Sequence, residues 1–100
     1  MKKYNLILFM CLAVVATAFG QNKNVRKAES ALESGNIVEA KEWIDPAIND
    51  EKTKDDGKTW FIYGQVYQAI AEDSTGSVSA EDPYQTAVDA YNKAKELEKE

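Results

Sequence analysis

The chain has 100 residues, 12 of them basic and 17 acidic, with no histidine and a single cysteine, Cys11. Without imidazole, and with its one thiol inside the leading apolar segment, it can assemble neither a Ser-His or Cys-His nucleophile pair nor a Cys/His zinc site. Its net charge of −5 repels phosphate backbones, and no Lys/Arg cluster with interleaved aromatics offsets this, so nucleic acid is not an expected partner.

Lys2 and Lys3 precede an apolar run from Leu6 to Phe19, and Ala18-Phe19-Gly20 puts small residues where a signal peptidase reads. This is the pattern of a secretory signal peptide over residues 1–20, cleaved after Gly20. The run is shorter than the roughly 20 apolar residues that cross a bilayer, so no stable membrane insertion is expected after cleavage. Met10 stands where a lipoprotein signal wants a small residue before Cys11, which argues against lipidation. The expected product is exported and periplasmic, has no cysteine for a disulfide, and is more acidic than the whole chain because Lys2 and Lys3 leave with the signal.

From residue 21 on, the chain is rich in Ala, Glu, Lys and Gln and lacks alternating β-branched runs, so the fold class is all-α. A first helix is predicted from Asn22 to Ser34, with Val25, Ala28, Ala31 and Leu32 on one face, and Gly35 supplies the positive φ that ends it. Asn36 caps a second helix, with Glu39 reaching back in a variant of the capping box. Its apolar side is Ile37, Ala40, Trp43, Ile44, Ala47 and Ile48, and Pro46 kinks or shortens it. A polar stretch from Asn49 to Lys58 follows. Asp55 or Asp56 then caps a third helix, whose apolar residues are Trp60, Tyr63, Gly64, Tyr67 and Ala71. After a Ser/Gly/acid-rich loop from Glu72 to Asp82, Asp82-Pro83 starts a fourth helix with a buried stripe of Ala87, Val88, Tyr91, Ala94 and Leu97.

Trp60-x-x-Tyr63-Gly64-x-x-Tyr67 followed by Ala87-x-x-x-Tyr91-x-x-Ala94 resembles the tetratricopeptide repeat, whose signature is Trp-x-x-Leu-Gly-x-x-Tyr and then Ala-x-x-x-Phe-x-x-Ala. Placing Ala28 on Gly64 gives a period near the family's roughly 34 residues. Ala40, Ile44 and Ala47 then answer Ala87, Tyr91 and Ala94, with an insertion in the second repeat. The resemblance implies two stacked antiparallel helical hairpins in an α-solenoid: an atypical first repeat over 21–54, and a second over 55–100 with a loop insertion at 72–82. The first repeat departs from the pattern at Asn24 and Ala31, and neither repeat ends in the family's proline. Thr53 to Ile70 is also similar to multi-repeat secreted proteins of the Bacteroidota type. The family makes Trp60 and Tyr67 packing residues of the core.

The family implies a scaffold that binds a protein or peptide in a groove lined by the first helix of each hairpin. Carried onto this chain, the groove residues are Lys58, Phe61, Gln65, Gln68 and Ala69, with Asn22, Val25, Glu29, Leu32 and Glu33 from the first repeat. Glu29 and Gln65 stand where a carboxylate clamp wants asparagine, so that clamp is not expected; the groove of an acidic chain with Phe61, Val25 and Leu32 suits an apolar or basic segment. Neither the acidic loop nor Asp50–Gly57 has the donor spacing of an EF-hand, Lys52 and Lys54 taking ligand positions in the latter. No metal, cofactor or catalysis is expected. Two hairpins give little core and the last helix has no cover for its stripe, so the sequence points to self-association in an envelope complex or to a longer array, such as the front of a larger enzyme or transport factor.

Overall fold

The structure of the protein, a computed structural model, describes residues 23–99, and among these the regular elements are four helices and no strand. They are α1 (Lys23–Glu33), α2 (Ile37–Ala47), α3 (Gly57–Glu72) and α4 (Pro83–Glu98). The expected signal peptide and Asn22 lie outside the described residues.

Local chemistry sets the boundaries of α1 and α2. Gly35 has φ +79°, and the Gly35 and Asn36 N–H groups donate back to the carbonyls of Leu32 and Ala31 at 3.0 and 2.8 Å. This paired bonding closes α1 and satisfies carbonyls that the helix end would otherwise leave bare. Asn36 Oδ1 then accepts the Glu39 N–H at 3.1 Å. The Glu39 carboxylate returns to the Asn36 side-chain amide at 3.0 Å, so the reciprocal bond runs between side chains and not to the backbone. Pro46 has no N–H to donate, and α2 ends one residue beyond it, at Ala47. The following turn is tied underneath: Thr53, only 2% exposed, donates its hydroxyl to the Ala47 carbonyl at 2.7 Å. The polar linker thus contributes a buried residue that its composition hides.

Asp56 caps α3, its Oδ1 accepting the Lys58 N–H at 3.1 Å. The deepest face of α3 is not the aromatic stripe but Thr59, Ile62, Val66 and Ile70, at three- and four-residue steps. Of the residues predicted for the α3 stripe, Gly64 and Tyr67 are buried while Trp60, Tyr63 and Ala71 are only partly so. The reason is that α3 packs on two sides. Its aliphatic face meets α1 and α2, and its glycine side meets α4. Trp60 lies at the edge, where its indole N–H donates to the Lys54 carbonyl at 2.6 Å and the Lys93 ammonium sits 5.8 Å from its ring centre.

α1 and α2 pack on each other, α3 packs on both, and α4 packs chiefly on α3. One core runs through them, built from Val25, Ala28 and Ala31 of α1, Ala40, Ile44 and Ala47 of α2, and Ile62, Val66, Tyr67 and Ile70 of α3, with Ala87 from α4. α3 and α4 are antiparallel, since Gly57 approaches Ala94 and Glu98 while Gly64 approaches Tyr91. The buried side of α4 is Ala87, Ala90 and Ala94, small residues that let two backbones come close. Val88, expected in that stripe, is 44% exposed, and Ala90 takes its place in the contact. Asp82 enters α4 with φ 48° and makes no side-chain cap; the first turn is held instead by Thr86, whose N–H and hydroxyl both donate to the Asp82 carbonyl at 3.1 Å.

Candidate partner-binding surface

A charge-assisted hydrogen bond joins α2 to α3. The Tyr67 hydroxyl donates to Asp45 Oδ1 at 2.7 Å, and the Lys41 ammonium reaches Asp45 Oδ2 at 2.8 Å. The Tyr63 ring lies 4.6 Å from that of Tyr67. Burial holds the Tyr67 hydroxyl well above its ordinary pKa, and its bond to the Asp45 carboxylate adds to the shift. Burial also raises Tyr63 and Tyr91. Each raised value stabilises the folded state below the unfolded tyrosine pKa of about 10, and that contribution is lost as pH climbs above it. Tyr67→Phe should cost about 2 kcal/mol, the range for a hydrogen bond to a charged group. It should also flatten the loss of stability expected above roughly pH 10, as urea titrations would measure. A variant as stable as the parent would show that the bond does not hold α2 to α3.

The α3 residues expected in a groove, Lys58, Phe61, Gln65 and Gln68, recur at three- and four-residue steps along one side of that helix, and the groove residues fall into two sets by their contacts. Glu29 of α1 and Lys58 of α3 come together in an ion pair of 3.3 Å, with Leu32 half-buried against the core and Gln65 half-buried on α3. Phe61 and Gln68 turn toward α4. The Phe61 ring is 5.8 Å from that of Tyr91, and Gln68 Oε1 accepts the Tyr91 hydroxyl at 2.7 Å while its amide donates to Glu72 at 3.3 Å. Ala69 is half-buried and Glu33 exposed. Val25 belongs to neither set. It is 2% exposed and lies in the core, because it shares the inward face of α1 with Ala28 and Ala31.

Sequence reasoning missed the exposed apolar residues of α4. Tyr84 is 62% exposed, and with Val88 and half-buried Tyr91 it forms a stripe at helical spacing. The spacing was visible, but it looks the same on a buried face; only the fact that α4 has one main neighbour shows that the stripe is open. At the other end of the molecule, Trp43 is bracketed by the ammonium groups of Lys23 and Lys27, 6.0 and 5.6 Å from its ring centre, and its indole N–H donates to Glu39 at 3.3 Å.

The acidic loop is closed on itself. Asp73 accepts the Thr75 N–H at 3.1 Å and hydroxyl bonds from Thr75 and Ser77 at 2.7 and 3.1 Å. The bonds from Thr75 hold the Asp73 carboxyl below its ordinary range. Among the described residues no group of three or more His, Cys, Asp or Glu could hold a metal ion, and no helix is long and apolar enough to cross a membrane. The chain matches no family model, and no curated protein or solved structure is detectably similar to it.

Proposed function

We propose that the chain is an exported, periplasmic scaffold of tetratricopeptide type, which holds a protein or peptide segment on the shared side of α1 and α3 and performs no chemistry. The observation that carries this reading is the meeting of Glu29 and Lys58. It sets α1 and α3 side by side with these two polar groups at the surface and Leu32, which packs against the core, on the same helix as Glu29. An exposed ion pair of this kind adds little to stability, at most about 1 kcal/mol, so those two positions are available for recognition. Gly64 packed under Tyr91 supports the repeat reading, since it pairs a small and a large residue between antiparallel helices as that family does.

The occupant suited to this side is an apolar or basic segment, given the acidic balance of the chain. Gln65→Arg should weaken retention of partner proteins by roughly tenfold through like-charge repulsion, whereas Gln65→Glu should preserve it. Retention by immobilised wild type and both variants, with helicity checked by circular dichroism, measures this. Equal retention by all three would remove Gln65 and its neighbours from the binding surface. Self-assembly is the second reading, favoured by the exposed stripe of Tyr84 and Val88.

A further inference from the structure

We propose that Trp60, Tyr63 and Tyr67 form a row that carries an oxidising equivalent from the edge of the molecule to a buried phenol, with Asp45 as the acceptor of the phenol proton. The row turns over no substrate and does not depend on the partner-binding reading. Its three residues recur at three- and four-residue steps on α3, which puts them in one line along the helix. The ring centres of Trp60 and Tyr63 lie 5.6 Å apart, and those of Tyr63 and Tyr67 lie 4.6 Å apart. Trp60 is half-buried and Tyr67 is 7% exposed, so the row runs from a ring that a small radical can reach to one that is shielded.

The hydrogen bonds at the two ends set the direction. The Trp60 indole N–H donates to the Lys54 carbonyl at 2.6 Å, and a carbonyl is too weak a base to remove that proton when the ring loses an electron. The Lys93 ammonium, 5.8 Å from the same ring centre, disfavours a positive charge there. Tyr67 differs. Its hydroxyl donates to Asp45 Oδ1 at 2.7 Å, and a carboxylate can take the proton as the phenol is oxidised. The product at Tyr67 is a neutral phenoxyl, on which the Lys41 ammonium, 5.9 Å from the ring centre, acts little. Lys41 also bonds Asp45 Oδ2 at 2.8 Å, which weakens the carboxylate as a base but leaves Oδ1 to the phenol. Tyr91 is the contrast, since its hydroxyl donates to the Gln68 amide oxygen, which does not hold a proton.

The oxidant is a one-electron radical of the peroxyl class. It takes one electron from Trp60 and a proton from water, becoming a hydroperoxide. The electron deficit passes through Tyr63 to Tyr67, the Tyr67 O–H bond breaks, and its proton moves to Asp45 and from that partly exposed carboxylate to solvent. Trp60 is restored, the one-electron loss rests on Tyr67 as a phenoxyl, and no oxygen atom is added to the indole.

Pulse radiolysis of the whole chain with the azidyl radical, which takes one electron to become azide, tests this. A Trp43→Phe background leaves Trp60 as the one indole. The expected result is decay of the indolyl absorption matched by growth of the phenoxyl absorption, at a rate independent of protein concentration and slower in D2O. Tyr67→Phe should abolish that growth at the parent rate, and Tyr63→Phe should slow it. Asp45→Asn should slow it by roughly a hundredfold, the scale of effect of losing a positioned base. Circular dichroism restricts the comparison to folded variants. Phenoxyl growth at the parent rate in Tyr67→Phe overturns the proposal, as does an indolyl that decays with no phenoxyl growth. A parent rate in Asp45→Asn removes Asp45 as the proton acceptor and overturns the direction. Should Asp45→Asn lose its helicity, the parent in D2O decides the same point, and an unchanged rate there overturns the coupling to the proton.

Discussion

Ile44→Ala is expected to lower the stability of this protein by about 2–5 kcal/mol, the largest effect of any single substitution considered. Ile44 is 0% exposed and belongs to the core through which α2 meets α1 and α3. Removing its outer carbons forfeits their burial and leaves a cavity. Its helical neighbours Ala40 and Ala47, with only a methyl group each, cannot reach into the space. Domains of ordinary stability have about 5–15 kcal/mol in hand, so the variant should unfold at a much lower urea concentration with an unchanged slope. Val38→Ala on the same helix, 41% exposed, is the control and should change stability by less than about 1 kcal/mol. Equal effects at the two positions would contradict the placement of the core.

Gly64→Val should cost about 2–3 kcal/mol by overpacking the α3·α4 contact. A Cβ at position 64 would lie 2.8 and 2.9 Å from ring carbons of Tyr91, closer than carbon atoms tolerate. The Tyr91 ring cannot swing away freely, since its hydroxyl is held by Gln68 and its edge by Phe61. Gly64→Ala makes the same clash with a smaller group and gains about 1 kcal/mol of helix propensity, so its net cost should be smaller. Combining Gly64→Val with Tyr91→Ala should cost less than the two changes summed, since removing the ring removes the clash. Strict additivity, measured by urea unfolding of the four proteins, would mean that the glycine is not there for Tyr91.

Much of the fold was legible in the sequence wherever a boundary is set by local chemistry. Gly35, Asn36 and Asp56 act where their residue types require it, and Pro46 ends α2 within a residue. The faces were harder to read. α3 carries two good stripes, one aliphatic and one aromatic with glycine, and nothing local says which neighbour each will meet. The aromatic signature drew attention to Trp60, yet the deepest residues are Ile62 and Val66, at 1% and 0% exposure. Val25 was misplaced for the same reason: family alignment put it on an outer face, while its spacing with Ala28 turns it inward. α4 gives the converse case, where Val88 has core-like spacing but is 44% exposed among the described residues. Thr53 could not have been found at all, because its burial depends on the 48–56 turn folding back to the Ala47 carbonyl.

The candidate surface was legible to a smaller degree. Glu29 and Lys58 meet across α1 and α3 at 3.3 Å, while Leu32 and Gln65 are half-buried on those helices. Phe61 and Gln68 were placed with them by alignment but are engaged by Tyr91, a contact across two helices that no spacing on α3 encodes. Pairwise contacts between helices decide which exposed residues act together, and these become visible only when the helices are assembled.

The central claim, that the side shared by α1 and α3 holds a protein partner, is tested most directly by photo-crosslinking in the native cells. A photoreactive amino acid at Gln65 should give adducts of discrete mass, and the same group at Glu51, on the exposed turn after α2, should give none of them. Matching patterns at the two positions, or no adduct at Gln65, would contradict the account.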